Sequence, residues 1–234
     1  MIAAATCAKS DLEPYGKGLE KLVTTLPAVK PVFSTWRFHP EKKNEGILAA
    51  SKVQYVINGY NFKKLGYSWD GKMRVLNQIL STDWLQTRIR VVGGAYGGFS
   101  QISMTGTMTF NSYRDPNLKE TLDNYLATPD YLSKFEADSA AMLRYIIGTI
   151  SGMDSPLTPS QKGDQAFQQY FNRRSREDQQ RDRDAVLSTS VADIRGFAKL
   201  VREILGQNEI CVYGNEEKLR NSKQLFNSLV KIDK

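Results

Sequence analysis

The side chains that most often carry metal or nucleophilic chemistry are scarce in this sequence. His39 is the single histidine, and it lies in a proline-rich stretch. Neither a zinc motif with two histidines and a glutamate nor a Cys/His or Ser/His nucleophile pair can be read around it. Cys7 and Cys211 are too few, and too far apart in sequence, to indicate a zinc site or a disulfide framework. We therefore expect His39 to be a surface loop residue and the chain alone to lack catalytic activity of either kind.

One segment, residues 88–99, combines residue types that attract attention. It reads RIRVVGGAYGGF, with a cation at Arg90, a glycine pair at Gly93 and Gly94, and a phenol at Tyr96. Glycine permits backbone geometries and close approaches that residues with a Cβ resist. The segment lacks the lysine and the strand–helix context of a phosphate loop. From residue types alone, a helix C-cap and a turn with Tyr96 packed on a sheet is the simpler interpretation.

Composition and charge narrow the class of protein. The chain has 234 residues, of which 41% are apolar, enough to bury a core within one domain spanning residues 1–234. No stretch approaches the roughly 20 apolar residues of a membrane helix, so no membrane partner is expected. The net charge of +7 could indicate a nucleic-acid partner. However, the densest basic cluster, residues 173–183, also contains acidic residues, which is typical of a solvated helix face.

Hydrophobic periodicity predicts an α+β fold, with a mostly antiparallel sheet covered on one face by helices. Thr105-Gly106 separates two alternating runs, as in a β-hairpin. A long helix is expected to end at Gly93 and Gly94. The predicted strands are 2–8, 47–60, 96–104, 107–113 and 209–213, the last followed by a short closing helix. The predicted helices include 11–26, 69–89, 128–151 and 191–205.

Proline-containing signals mark further helix starts. Asp115-Pro116 and Thr128-Pro129 each match an N-cap followed by proline at the first helical position. Thr158-Pro159-Ser160-Gln161 adds the glutamine of a capping box.

Several ordered motifs resemble one known family. Arg90 stands six positions before Tyr96, and the stretches NFKKLGY (61–67), STDWL (81–85) and SYRDPNL (112–118) flank the pair. Together they cover residues 53–126. This pattern is similar to the C-terminal half of the pitrilysin/insulinase family of zinc metallopeptidases, in particular its presequence protease branch.

The resemblance implies the fourth and last of four related α+β domains that enclose a chamber. Zn²⁺ would be bound by another domain and not by this chain. The implied partners are the N-terminal zinc-bearing domains of the same polypeptide and an unstructured peptide substrate. The compartment would be the cytoplasm of a bacterium, or the mitochondrial matrix or another organelle of a eukaryote.

The resemblance also implies roles for individual residues. Arg90 and Tyr96 would bind the peptide carbonyl and stabilise the oxyanion that forms on it. Gly93 and Gly94 would shape the turn that aims these side chains at the substrate. Arg88, one turn away, is the less favoured participant. Two alternatives stay open: an inactive structural or assembly subunit that pairs with a zinc-bearing partner, and a basic nucleic-acid-binding module that uses residues 173–183.

Overall fold

The structure is a computed structural model and describes residues 3–30, 32–38 and 44–231. The chain divides into two compact units, residues 1–39 with 155–178 and residues 40–154 with 179–234. The single domain predicted over residues 1–234 stays a prediction. His39, predicted to be a surface loop residue, lies outside the described residues.

The smaller unit is helical. Its helices are α1 (Leu12–Thr25) and α6 (Pro159–Phe171), and α6 begins with the predicted capping box between Thr158 and Gln161. The strand predicted over residues 2–8 is wrong for the described residues 3–8, which form no strand. A β-prone run becomes a strand only where a neighbouring strand pairs with it, and none of the described strands pairs with residues 3–8.

The larger unit is built on a six-stranded sheet with the order β3-β4-β2-β5-β1-β6. Pairs β2–β4, β2–β5 and β3–β4 are antiparallel, whereas β1 pairs in parallel with β5 and β6, so the mostly antiparallel sheet is confirmed. The strands are β1 (Glu45–Ala49), β2 (Gln54–Asn61), β3 (Gly97–Ile102), β4 (Thr107–Asp115), β5 (Ile210–Asn215) and β6 (Ser228–Lys231).

Two strand predictions need correction. The single strand predicted over 47–60 is two strands, because the Ser51 hydroxyl accepts a hydrogen bond from the Val53 amide at 3.1 Å and turns the chain. The strand predicted at 209–213 is followed by one more strand, β6, after the short helix α9 (Glu216–Asn221). Four residues at a sheet edge are too few for a periodicity to show.

The helices of the larger unit follow the predicted order, with corrections to their boundaries and caps; the helix predicted over 69–89 begins at Met73. The segment 128–151 is broken into α4 and α5 because Asp138 caps a new helix, its carboxylate accepting from the Ala141 amide at 2.7 Å. Asp115 does not cap a helix, since it ends β4 and α3 begins at Lys119. Thr128 does not cap one either, since it is the first residue of α4 and Ala127 holds the N-cap position. The remaining helices are α2 (Met73–Ile79), α3 (Lys119–Leu126), α4 (Thr128–Ser133), α5 (Ser139–Met153), α7 (Arg176–Leu187) and α8 (Val191–Gly206).

One face of the sheet is buried under helices and the other is open. In β2, Val56 and Asn58 are buried, whereas Tyr55 and Ile57, which alternate with them, are partly exposed. We call the face that carries Tyr55 and Ile57 the open face. The core under the covered face includes Phe62, Leu76, Ile79, Met108, Phe110, Tyr125, Ile194, Val201 and Ile204. Among the described helices, none has the length and apolar character needed to cross a membrane.

Candidate functional site

The helix that carries Arg90 ends in an unusual way. After α2 the chain continues through two π-helical stretches, Leu80–Trp84 and Gln86–Val92. The Gly93 amide donates to the Arg88 carbonyl, five residues back, at 3.1 Å, and the Ala95 amide donates to the Ile89 carbonyl at 3.1 Å. Gly94 has a φ of 76°, the left-handed conformation in which glycine often ends helices. The predicted helix stop at the glycine pair is therefore confirmed. π-Helical turns of this kind are frequent at functional sites.

A hydrogen-bond relay fixes the glycine turn from the side. The Asn117 side chain donates to the Gly93 carbonyl at 2.6 Å. Its own backbone amide donates to the Asp115 carboxylate at 2.8 Å, and the Thr121 hydroxyl donates to the same carboxylate at 2.6 Å. Asp115 is fully buried, so losing either of these hydrogen bonds would lower the free energy of unfolding. The SYRDPNL stretch thus serves to hold the turn that precedes Tyr96.

Arg90 and Tyr96, the two catalytic residues that the resemblance implies, come together at this turn. The Arg90 guanidinium carbon lies 6.0 Å from the centre of the Tyr96 ring. Arg90 is exposed and Tyr96 is 65% exposed, so both can reach a bound molecule. The Tyr96 amide donates to the Tyr113 carbonyl at 3.1 Å, which fixes its backbone at the start of β3. A guanidinium and a phenol placed in this way offer hydrogen-bond donors to one carbonyl oxygen.

Arg88 points to a different cluster. Its guanidinium carbon lies 5.0 Å from the Trp84 ring, which stacks on Tyr131 at a centroid distance of 4.5 Å. The Trp84 indole N–H donates to the Thr128 hydroxyl at 3.0 Å. Arg88 therefore belongs to the packing between this helix and α4, apart from Arg90 and Tyr96.

A half-buried carboxylate also anchors the helix that carries Arg90. Asp83 accepts hydrogen bonds from the phenols of Tyr131 at 3.0 Å and Tyr145 at 3.1 Å. Burial, and then the Asp83 charge, raise the pKa of both phenols, which keeps them protonated as donors. The π-helical stretch Leu80–Trp84 is therefore tied to α4 and α5.

Sequence reasoning missed the aromatic neighbours of Tyr96 on the open face. Tyr96 meets Tyr113 edge-on at 5.4 Å, Tyr113 meets Tyr55 at 5.3 Å, and Tyr55 meets Tyr213 at 5.7 Å. We call these four residues the aromatic row. Arg114 lies against the row, with its guanidinium carbon 5.9 Å from the Tyr96 ring. The tyrosines belong to distant parts of the sequence, so only the strand register brings them together.

Metal-binding side chains do not cluster in the part of the chain that the structure describes. No group of three histidine, cysteine, aspartate or glutamate residues there could hold a metal ion. The described residues therefore do not provide a ligand set for the zinc that the resemblance implies. Cys7 and Cys211 are free thiols, and burial raises the pKa of Cys211.

The basic segment 173–183 is partly neutralised at one end. Arg183 forms a two-pronged ion pair with Asp154, with nitrogen–oxygen distances of 2.6 and 2.5 Å. This bond lowers the pKa of the Asp154 carboxyl. A guanidinium engaged in this way is less available to a phosphate.

Residues 44–213 match the family model described as the PreP C-terminal domain. Over 199 residues the chain is 42% identical to Protein HypA of Clostridium perfringens, covering 85% of this chain and 20% of that protein. It is 38% identical over 168 residues to presequence protease 1, chloroplastic/mitochondrial, of Arabidopsis thaliana, covering 71% of this chain and 16% of that protein. The chain thus spans about a fifth or less of the length of these relatives.

Solved structures share the fold at low sequence identity. A protease from Helicobacter pylori superposes with a TM-score of 0.59 at 16% identity, covering 90% of this chain and 53% of the other. A peptidase M16 inactive domain from Pseudomonas fluorescens has a TM-score of 0.54 at 14% identity, covering 89% of this chain and 51% of the other. At this identity the match supports the fold alone, and it agrees with the α+β fold predicted from the sequence.

Proposed function

This chain belongs to the PreP C-terminal domain family, and on that premise we propose that it forms the substrate-side wall of a zinc metalloendopeptidase. The observation that carries the proposal is the placement of Arg90 beside Tyr96 at the capped end of a helix. Both side chains face solvent, and within the described ranges the Arg90 guanidinium forms no ion pair. Donors held ready in this way suit an oxygen that gains negative charge during a reaction.

The chemistry that we propose for these residues is stabilisation of the peptide carbonyl. Arg90 would donate charge-assisted hydrogen bonds to the carbonyl oxygen, and the Tyr96 phenol would donate another. The turn at Gly93 and Gly94, held by Asn117, would fix where the two donors point. Zinc bound elsewhere in a longer polypeptide would supply Lewis-acid activation of water.

The partners that we propose follow from the relatives. The N-terminal domains of the same polypeptide would carry the zinc and face this chain. The substrate would be an unstructured peptide, because the relatives include presequence proteases of chloroplasts and mitochondria. The compartment would be the bacterial cytoplasm or, in a eukaryote, the mitochondrial matrix or another organelle.

The direct test is peptide hydrolysis by full-length variants. Arg90→Ala and Tyr96→Phe should each lower kcat by roughly 100-fold or more, the usual effect of removing one oxyanion donor. Arg88→Ala is the matched control, since this neighbouring arginine packs on Trp84. Arg88→Ala should retain most of the activity. Hydrolysis unchanged in both Arg90→Ala and Tyr96→Phe would refute the proposal.

An inactive structural or assembly subunit is the second candidate. It is favoured by the similarity to solved structures described as inactive peptidase domains, from Pseudomonas fluorescens and Bordetella parapertussis. The size of the polypeptide in source cells separates the two candidates. A chain several times larger that hydrolyses peptides supports the wall of one enzyme, whereas a separate small subunit favours the assembly role.

A further inference from the structure

A β-bulge in β4 places Arg114 on the open face. Gln54 pairs with Asp115 and Val56 pairs with Ser112, so the single residue Tyr55 stands opposite both Tyr113 and Arg114. Side chains of a regular strand alternate between the two faces of a sheet. Met108, Phe110 and Ser112 are buried on the covered face, so a regular strand would bury Arg114 as well. Because of the bulge, Arg114 is exposed and Asp115 is buried instead.

The backbone at Arg114 is strained. Its φ is 48°, in the left-handed region that glycine or asparagine usually occupies at such bulges. For an arginine this conformation is unfavourable, because the Cβ comes too close to the following carbonyl oxygen. Strain of this kind persists where the surrounding structure enforces it, and it clusters at binding and active sites. A glycine at position 114 would allow the same bulge without strain, so the arginine side chain itself requires an explanation.

The Arg114 side chain is positioned beside the proposed catalytic pair. Its guanidinium carbon lies 5.9 Å from the Tyr96 ring and 5.6 Å from the Tyr113 ring. A hydrogen bond to Tyr55 raises the pKa of Arg114, and an arginine is in any case charged at every physiological pH. Within the described ranges Arg114 has no carboxylate partner, and neither does Arg90. Tyr96 is therefore flanked by two exposed guanidinium groups that pair with no carboxylate of the described residues.

We propose that Arg114 is a specificity-determining residue that binds a carboxylate of the peptide substrate next to the scissile carbonyl held by Arg90 and Tyr96. This inference rests on the proposed function. The guanidinium carbons of Arg90 and Arg114 each lie about 6 Å from the centre of the Tyr96 ring, so the two carbons are at most twice that distance apart. An extended peptide advances about 3.3 Å per residue, so the carboxylate lies within about four residues of the cleaved bond.

The carboxylate can come from an acidic side chain or from the free C-terminus of the peptide, and matched peptides separate the two sources. In one series a single glutamate is moved through the four positions on either side of the cleavage site, each peptide being compared with its glutamine analogue. In the other series a peptide with a free C-terminus is compared with its amidated form. The full-length enzyme should favour one carboxylate peptide by roughly 3- to 10-fold in kcat/KM, as expected for an exposed but well-oriented arginine–carboxylate pair.

The variant Arg114→Asn removes the cation and keeps a residue that tolerates the left-handed backbone. We expect it to abolish the preference, whereas Arg114→Lys should retain part of it and Arg88→Ala all of it. Arg114→Gly removes the strain as well and should raise the midpoint of thermal unfolding while it also abolishes the preference. No carboxylate preference in the unmodified enzyme, or a preference that persists in Arg114→Asn, would overturn the inference.

The same assay separates this inference from the proposed function. Arg90→Ala should lower turnover of the carboxylate and neutral peptides alike. If Arg90→Ala lowers turnover while Arg114→Asn leaves the preference intact, only the role of Arg114 is refuted. If Arg90→Ala has no effect on either peptide, the proposed function itself fails.

Discussion

The contact between Gly98 and the helix that carries Arg90 offers a test of how Arg90 is positioned, at a residue that does not itself touch the proposed substrate. A Cβ added to Gly98 would lie 2.5 Å from the Ile89 Cβ and 3.0 Å from the Leu85 carbonyl oxygen. Non-bonded heavy atoms prefer separations of about 3.5–4.0 Å, so the helix would have to retreat from β3 by about 1 Å. Ile89 is next to Arg90, and the retreat would carry the guanidinium away from its position.

We therefore expect Gly98→Ala to affect both stability and turnover. Overpacking of this kind costs about 1 to 3 kcal/mol in the free energy of unfolding. A displacement of about 1 Å of a catalytic group can lower the rate by roughly 100-fold. Both quantities can be measured on the full-length enzyme, by chemical denaturation and by peptide hydrolysis under conditions in which the variant stays folded.

The neighbouring glycine provides the matched control. A Cβ on Gly97 would meet no atom within 4 Å, and Gly97 is not among the glycines with a positive φ. Gly97→Ala should therefore leave stability and turnover close to those of the unmodified enzyme. If Gly98→Ala were as active as Gly97→Ala, the helix would not position Arg90 in the way described.

Three further predictions follow from contacts around the site. Asn117→Ala removes the donor to the Gly93 carbonyl. We expect denaturation to show a loss of about 1 kcal/mol in unfolding free energy, and peptide hydrolysis to show a kcat at least about 10-fold lower. An unchanged kcat would contradict the role of the hydrogen-bond relay. Arg88→Ala should lower the melting temperature more clearly than it lowers kcat, and the reverse order would assign this arginine to the site. Arg183 lowers the pKa of the Asp154 carboxyl. The pair therefore stabilises the fold fully above the ordinary aspartate pKa of about 3.9, and its contribution is lost as the pH falls through the lowered pKa. The difference in unfolding free energy between the unmodified protein and Arg183→Gln should shrink on acidification, and a difference that stays constant would be inconsistent with the ion pair.

Local sequence signals predicted those elements that depend on local contacts. The helix stop at the glycine pair and the hairpin at Thr105-Gly106 are both confirmed, since turn chemistry and hydrophobic period act over a few residues. The capping box at Thr158 is confirmed for the same reason. Asp115-Pro116 carries an equally good local signal, yet Asp115 is buried at the end of β4 and bonds Thr121. Tertiary burial outweighed the capping preference there.

The candidate site was only partly accessible from the sequence. Residue types alone favoured a helix C-cap with Tyr96 packed on the sheet; the structure shows the C-cap, whereas Tyr96 is mostly exposed and meets Tyr113 edge-on. The neighbourhood of Arg90 and Tyr96 was implied by the resemblance to a known family. Arg114 was missed because its exposure depends on a bulge opposite Tyr55, whereas the regular alternation of β4 predicts the same face for Ser112 and Arg114.

The most direct measurement of the central claim is a structure of the full-length protein with a peptide bound and its metal site inactivated by substitution. Our account predicts that the Arg90 guanidinium and the Tyr96 hydroxyl both lie within hydrogen-bond distance, about 2.7–3.2 Å, of the carbonyl oxygen at the cleavage site. A bound peptide whose reacting carbonyl is out of reach of both side chains would contradict the proposed role of this chain in the active site.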